Sequence, residues 1–127
     1  MLEFLVDTDI WVDFFHDQKY ARDLINKISI HGPVFTSILS ITELRTGFTQ
    51  EQAEFYLPRF YNITGIVQVS KSAALLAGKF RWEFRRRGIT IPTVDSIIAA
   101  TTIENNYQLV TRNKKDFPMP EIKFYEF

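Results

Sequence analysis

A chain of 127 residues, 46% hydrophobic and 24% charged, has the size and balance of one globular domain with a buried core. Fifteen basic residues match 15 acidic ones, so the formal charge is zero and any attraction for an anion must come from local patches. The absence of cysteine excludes a disulfide framework and a thiolate zinc site.

The first element is Phe4-Leu5-Val6, an apolar run without alternation, as expected of a strand buried on both faces. Thr8 and Asp9 are candidate caps for a helix on which Ile10, Trp11, Phe14 and Phe15 recur at helical spacing. His31-Gly32-Pro33 marks a turn before a second strand, Val34-Phe35-Thr36. Ser37 then caps a helix with Ile38, Ile41, Leu44 and Phe48 on its apolar face. Another helix is predicted from Gln50 toward Tyr61, limited or kinked by Pro58. Ile66 to Val69 is the next strand, and Ser70 opens a long helix ending at Gly88. A helix over residues 93–105, a strand at Leu109-Val110 and an edge strand within residues 123–127 complete the chain. Strands alternating with helices imply a single α/β domain over residues 1–127, its mostly parallel sheet flanked by helices on both faces.

No basic leader precedes the first apolar run, which Glu3 and Asp7 interrupt. No stretch reaches the roughly 20 apolar residues of a membrane helix. The expectation is a cytoplasmic protein with no membrane partner.

Ligands of parallel α/β sheets bind beyond the carboxyl ends of the strands. Asp7 directly follows the first strand, and Asp116 follows the Leu109-Val110 strand in "TRNKKDF". Asp95 falls in the first turn of its helix, and Glu43 lies on the helix after the second strand, with Gly47 one turn on. Each has a bland alternative. Asp95 suits a helix start through the macrodipole alone, Glu43 suits a solvated helix face, and Asp116 suits an Asx turn. Gly47 either leaves space beside Glu43 or ends the helix. Asp9 can be only a cap and Asp13 only an exposed helix residue. Asp7 is least bland, because a strand-end acid between Val6 and Ile10 has few other uses. Four converging carboxylates would repel, and some would protonate without a cation. An oxygen-only set suits Mg²⁺ or Mn²⁺, ions that serve phosphate chemistry. His16 and His31 lack ligand spacing.

The segments "LVDTDIWVDFF", "TSILSITELRTGF" and "GITIPTVDSIIAATTIENNYQLVTRNKKDF" together resemble the PIN-domain ribonucleases, in particular the VapC-type toxins of bacterial toxin–antitoxin pairs. The likeness spans nearly the whole chain, although residues 50–80 carry little of it. It implies a Mg²⁺- or Mn²⁺-dependent endoribonuclease, a homodimer, neutralised by a small VapB-like antitoxin. Carried over by position, the catalytic and metal-holding acids are Asp7, Glu43, Asp95 and Asp116. Thr8, Asp9, Thr111 and Asn113 would support them from behind. The implied reaction is hydrolysis of an RNA phosphodiester to 5′-phosphate and 3′-hydroxyl ends.

Phosphate contacts would come from Arg112, Lys114 and Lys115 in "TRNKK", and from Arg85 and Arg86 in "KFRWEFRRRG". Basic residues ending a helix also complement its dipole, and the arginine run equally suits an acidic antitoxin segment. Trp11, Phe14, Trp82 and Phe84 are read as packing rather than base-stacking residues.

Two readings from other classes compete: a receiver-like phospho-acceptor domain and a catalytically silent PIN-like binding module. The first wants an Asp after a central strand, where this chain has Ser70-Lys71. A haloacid-dehalogenase-type phosphatase wants DxDxT, and "DTDIW" puts Trp11 where the Thr belongs.

Overall fold

Strand β1 (Phe4–Val6) lies at the centre of the molecule, every residue buried. A computed structural model describes residues 1–127. Helices α1 (Thr8–Phe15) and α2 (Lys19–His31) follow, then strand β2 (Val34–Ser37) and helices α3 (Ile38–Gly47) and α4 (Gln50–Ile63). Strand β3 (Gly65–Val67) leads to helices α5 (Lys71–Arg86) and α6 (Thr93–Glu104), strand β4 (Gln108–Val110), a 3₁₀ turn at Lys114–Asp116 and strand β5 (Lys123–Phe124). The five strands run parallel in the order β3-β2-β1-β4-β5. This order differs from the 2-1-3-4-5 order of receiver-type sheets, which removes that alternative.

Alternation along β1 divides the core in two. Leu5 joins Leu109, Phe80, Phe84 and Ile98 under α5 and α6. Phe4 and Val6 face the opposite cluster with Trp11, Ile25, Ile28, Leu44 and Phe60. Helices therefore cover both faces. The chain extends the sheet from β1 toward β3, then crosses to β4 on the other side. The strand order reverses between β1 and β4, where a parallel sheet opens a crevice at its carboxyl edge.

Several expectations need correction. Asp7 itself caps α1, accepting from the Thr8 amide, while Asp9 accepts from the Ile10 amide within the first turn. Helix α2 has no counterpart among the predicted elements, although Ala21, Leu24, Ile25 and Ile28 are buried on one stripe at helical spacing. Helix α4 runs past Pro58 to Ile63. Pro58 removes one donor, but both it and Glu54, whose carbonyl loses the bond, are accessible to water. Buried Ala53 and Phe60 hold the helix on either side of that gap. Strand β3 begins at Gly65, a residue before the predicted start, and stops at Val67. Gly88, at φ +80°, ends α5 in the left-handed conformation that glycine tolerates. No helix is long and apolar enough to cross a membrane.

Candidate active site at the carboxyl edge of the sheet

Asp7 is fixed at the reversal point by its own backbone, its amide donating to the Val110 carbonyl at 2.9 Å. The residue is only 8% exposed. Oδ1 accepts from the Thr8 amide at 2.8 Å and Oδ2 accepts from the Thr111 hydroxyl at 2.9 Å. Two hydrogen bonds do not compensate for burial of the charge. Burial, then the charge on Asp9, push the carboxyl up to about 7, with a smaller push from Asp95, against the Thr111 and Thr8 bonds that hold it down.

Asp95 enters from the first turn of α6, whose cap residue Pro92 offers no side-chain acceptor. Burial raises it to about 6, followed by the charges of Asp116, Glu43 and Asp9. Asp116 sits exposed on the 3₁₀ turn after β4. Glu43 projects from α3, where Ser37 caps the first turn through the Leu39 amide. The Thr8 hydroxyl donates to Glu43 Oε1 at 2.6 Å and lies 2.8 Å from Ser40 Oγ. Ser40, fully buried, touches the site through Thr8 and is not singled out by the sequence motifs; its only signal is a polar side chain on the helix face that buries Leu44.

Asp7 and Asp9 at the start of α1, Glu43 on α3, Asp95 at the start of α6 and Asp116 after β4 are thus linked through one electrostatic field. They do not close round a common point: no three His, Cys, Asp or Glu side chains form a ready ligand set. Burial first, and the neighbouring carboxylates second, raise the pKa values of Asp7 and Asp95. A hard divalent ion fits this donor set, which is oxygen throughout and ranges from buried Asp7 to exposed Asp116.

The remaining predicted residues divide clearly. Thr8 and Thr111 touch the acids directly, and Asn113 Nδ2 donates to Asp9 at 3.2 Å. Asp13 is not a free helix residue, because its carboxylate is 16% exposed and paired with Arg112 at 3.0 Å. Lys114 pairs with Glu126, whereas Lys115 is exposed beside Asp116. Arg85 is exposed, and Arg86 lies over the ring of Trp82 at 4.7 Å. Trp11 and Phe84 are core residues as expected, but Trp82 is 57% exposed. Gly47 ends α3 and also opens space, for nothing lies within 4 Å of a Cβ placed there. It lines a crevice of about 60 Å³ with Glu43, Val12, His16 and Phe48. A larger concavity of about 470 Å³, walled by Phe14, Phe15, Tyr56 and Ile63, holds none of the four main acids.

A family model described as PIN domain matches residues 4–122. The chain belongs to the PIN-domain family. Within that family it is similar to Ribonuclease VapC10 of Mycobacterium tuberculosis, at 31% identity over 118 residues, covering 92% of this chain and 87% of the relative. Ribonuclease VapC1 of Methanocaldococcus jannaschii is 29% identical over 113 residues, covering 89% of this chain and 77% of its own. The PIN fold superposes on VapBC2 from Rickettsia felis bound to a promoter DNA fragment, with a TM-score of 0.88 over 99% of each chain at 23% identity. DNA-bound VapBC from Salmonella typhimurium gives a TM-score of 0.84 over 98% of each chain at 22% identity.

Proposed function

We propose that this PIN-domain protein is a divalent-metal-dependent endoribonuclease, the toxin half of a toxin–antitoxin pair. The observation that carries the reading is Asp7. A carboxylate buried at the reversal point of a parallel sheet, raised to about 7 by that burial and by the charges of Asp9 and Asp95, is costly unless a cation joins it. The names of the relatives supply the substrate class, RNA.

Asp7, Glu43, Asp95 and Asp116 would hold Mg²⁺ or Mn²⁺, directly or through water. Bound there, such an ion supplies an acidified water and offsets charge developing on the phosphoryl group. The chain's own part is orientation. Thr111 and the Thr8 amide fix Asp7, and the Thr8 hydroxyl and Ser40 fix Glu43. Exposed Lys115, next to Asp116, and exposed Arg85 on the last turn of α5 would meet RNA phosphates. The reaction breaks a phosphodiester with water, leaving a 5′-phosphate and a 3′-hydroxyl, and needs no protein nucleophile.

A small VapB-like antitoxin is the proposed regulatory partner. Solved structures that share the fold include toxin–antitoxin complexes, one of them from Klebsiella pneumoniae and 25% identical over 97% of this chain. A homodimer is proposed through α5, where Leu75 and Trp82 remain 68% and 57% exposed.

The test is cleavage of a mixed RNA pool by purified protein with and without Mn²⁺, beside Asp7→Asn and Glu43→Gln. Cleavage that requires Mn²⁺ and is lost at least about 100-fold in both folded variants is the expected result. Equal cleavage by wild type and both variants, or none by wild type, rejects the reading.

A further inference from the structure

Asp9 stands two residues from Asp7 but commits its carboxylate to the loop after β4. Its Oδ2 accepts from the Arg112 amide at 3.0 Å and from Asn113 Nδ2 at 3.2 Å, with the Thr111 hydroxyl at 3.4 Å. One turn further along α1, Asp13 Oδ2 pairs with Arg112 Nε at 3.0 Å and also accepts from the Tyr20 phenol. Arg112 Nε lies 3.9 Å from Asp9 Oδ2, so one guanidinium spans two acids on successive turns of the helix. These acids are 12% and 16% exposed. Without Arg112 they would repel each other at i,i+4 spacing.

The loop needs such fastening. Strands β4 and β5, which flank it, have three and two residues, so the sheet anchors it weakly. Yet it carries Thr111, whose hydroxyl donates to Asp7 Oδ2 at 2.9 Å and accepts from the Asn113 amide at 3.1 Å. A continuous chain of contacts therefore runs from Tyr20 and Asp13 through Arg112 and the loop to the most buried acid.

We propose that Arg112 and Asp13, together with Asp9, are positioning residues: an ion-pair latch between α1 and residues 111–113 that seats Thr111 against Asp7. The proposal rests on the endoribonuclease reading for its consequence, and it takes Arg112 out of the set of RNA contacts.

The two roles of Arg112 predict opposite signs for Asp13→Asn. A latch loses its anchor and kcat falls. A phosphate contact is instead set free and RNA binding tightens. Arg112→Ala, Asp13→Asn and the double variant are compared in the full chain by two measurements. The first is amide hydrogen exchange at Asn113 in metal-free protein, with melting temperature as the fold control. The second is kcat, KM and the salt dependence of RNA binding with Mn²⁺. The latch predicts protection at Asn113 lower by roughly tenfold or more in both single variants. It predicts kcat lower by about 10–100-fold, KM within about twofold, and a double variant no worse than the weaker single one. Unchanged protection, or a higher KM with a salt slope reduced by about 1 in Arg112→Ala, overturns it. Lost protection in a protein whose wild type cleaves no RNA keeps the latch and rejects the nuclease reading. Should Arg112→Ala fail to fold, Arg112→Lys and Asp13→Asn carry the same test.

Discussion

Two buried polar groups sit on neighbouring strands of this sheet, and they are built on opposite terms. At β2, Trp11 Nε1 donates to the Thr36 hydroxyl at 2.9 Å, Thr36 and Thr64 hydroxyls meet at 2.9 Å, and Thr64 donates to the Val34 carbonyl at 3.1 Å. Every member of that chain is neutral and satisfied, so burial costs little. At the end of β1, Asp7 is also enclosed, but its neighbours include Asp9 and Asp95, and its carboxyl is raised to about 7. The first arrangement is explained by stability alone; the second costs stability, and the proposed metal site supplies the use that would offset it.

The largest expected effect that separates them is pH dependence. Asp7 and Asp95 hold protons in the folded state up to about 7 and about 6, whereas the unfolded chain releases them near 3.8. The folded state binds more protons between those values, so these two groups make stability fall as pH rises from about 4 to about 7. Urea denaturation in chelator should show wild type losing on the order of a few kcal/mol between about pH 5 and pH 7.5, and Asp7→Asn with Asp95→Asn should flatten that slope. Added Mn²⁺ should reverse the loss at the higher pH, because it binds the ionised acids.

Next in size is Thr36→Val, which strands Trp11 Nε1 in the core. It should cost about 1–3 kcal/mol at every pH, with kcat for RNA unchanged. A kcat effect beyond about twofold in a folded Thr36→Val protein would mean that the two regions are not separate.

Asp95→Asn should act in the other direction on stability. Asp95 is partly exposed, so solvent discounts its shift, and the metal-free variant should gain about 1 kcal/mol near pH 7.5 in thermal denaturation. A clear loss would make it a structural carboxylate. The smallest effect serves as calibration far from both regions. Gly78 lies on the exposed side of α5, on the face proposed for the dimer, with nothing in the single chain within 4 Å of where a Cβ would stand, so Gly78→Ala should add about 0.5–1 kcal/mol to the dissociated chain.

Much of this architecture is legible because its signals are local. Ser37 and Ser70 cap helices α3 and α5 as their positions predict, and Leu109-Val110 forms a buried strand. Asp7 stands out in sequence because a strand-end acid after Phe4-Leu5-Val6 has no cheap explanation. Helix α2 is equally legible from the spacing of Ala21, Leu24, Ile25 and Ile28, but its many charged residues obscure the stripe. The polar knot is not legible at all. Thr36 and Thr64 are 28 residues apart, and nothing local says that their hydroxyls meet. The latch is hidden for the same reason: Arg112, a basic residue beside "NKK", looks free until folding brings Asp13 to it across the sheet's edge.

The central claim is that Asp7, Glu43, Asp95 and Asp116 serve one divalent ion. Anomalous diffraction from crystals of the protein soaked in Mn²⁺ tests it most directly. The account predicts a manganese peak in the crevice between β1 and β4, about 2.0–2.4 Å from carboxylate oxygens of Asp7 and at least one of the other three, or bridged to them by water. Manganese bound elsewhere on the surface, with that crevice empty at saturating metal, would contradict it.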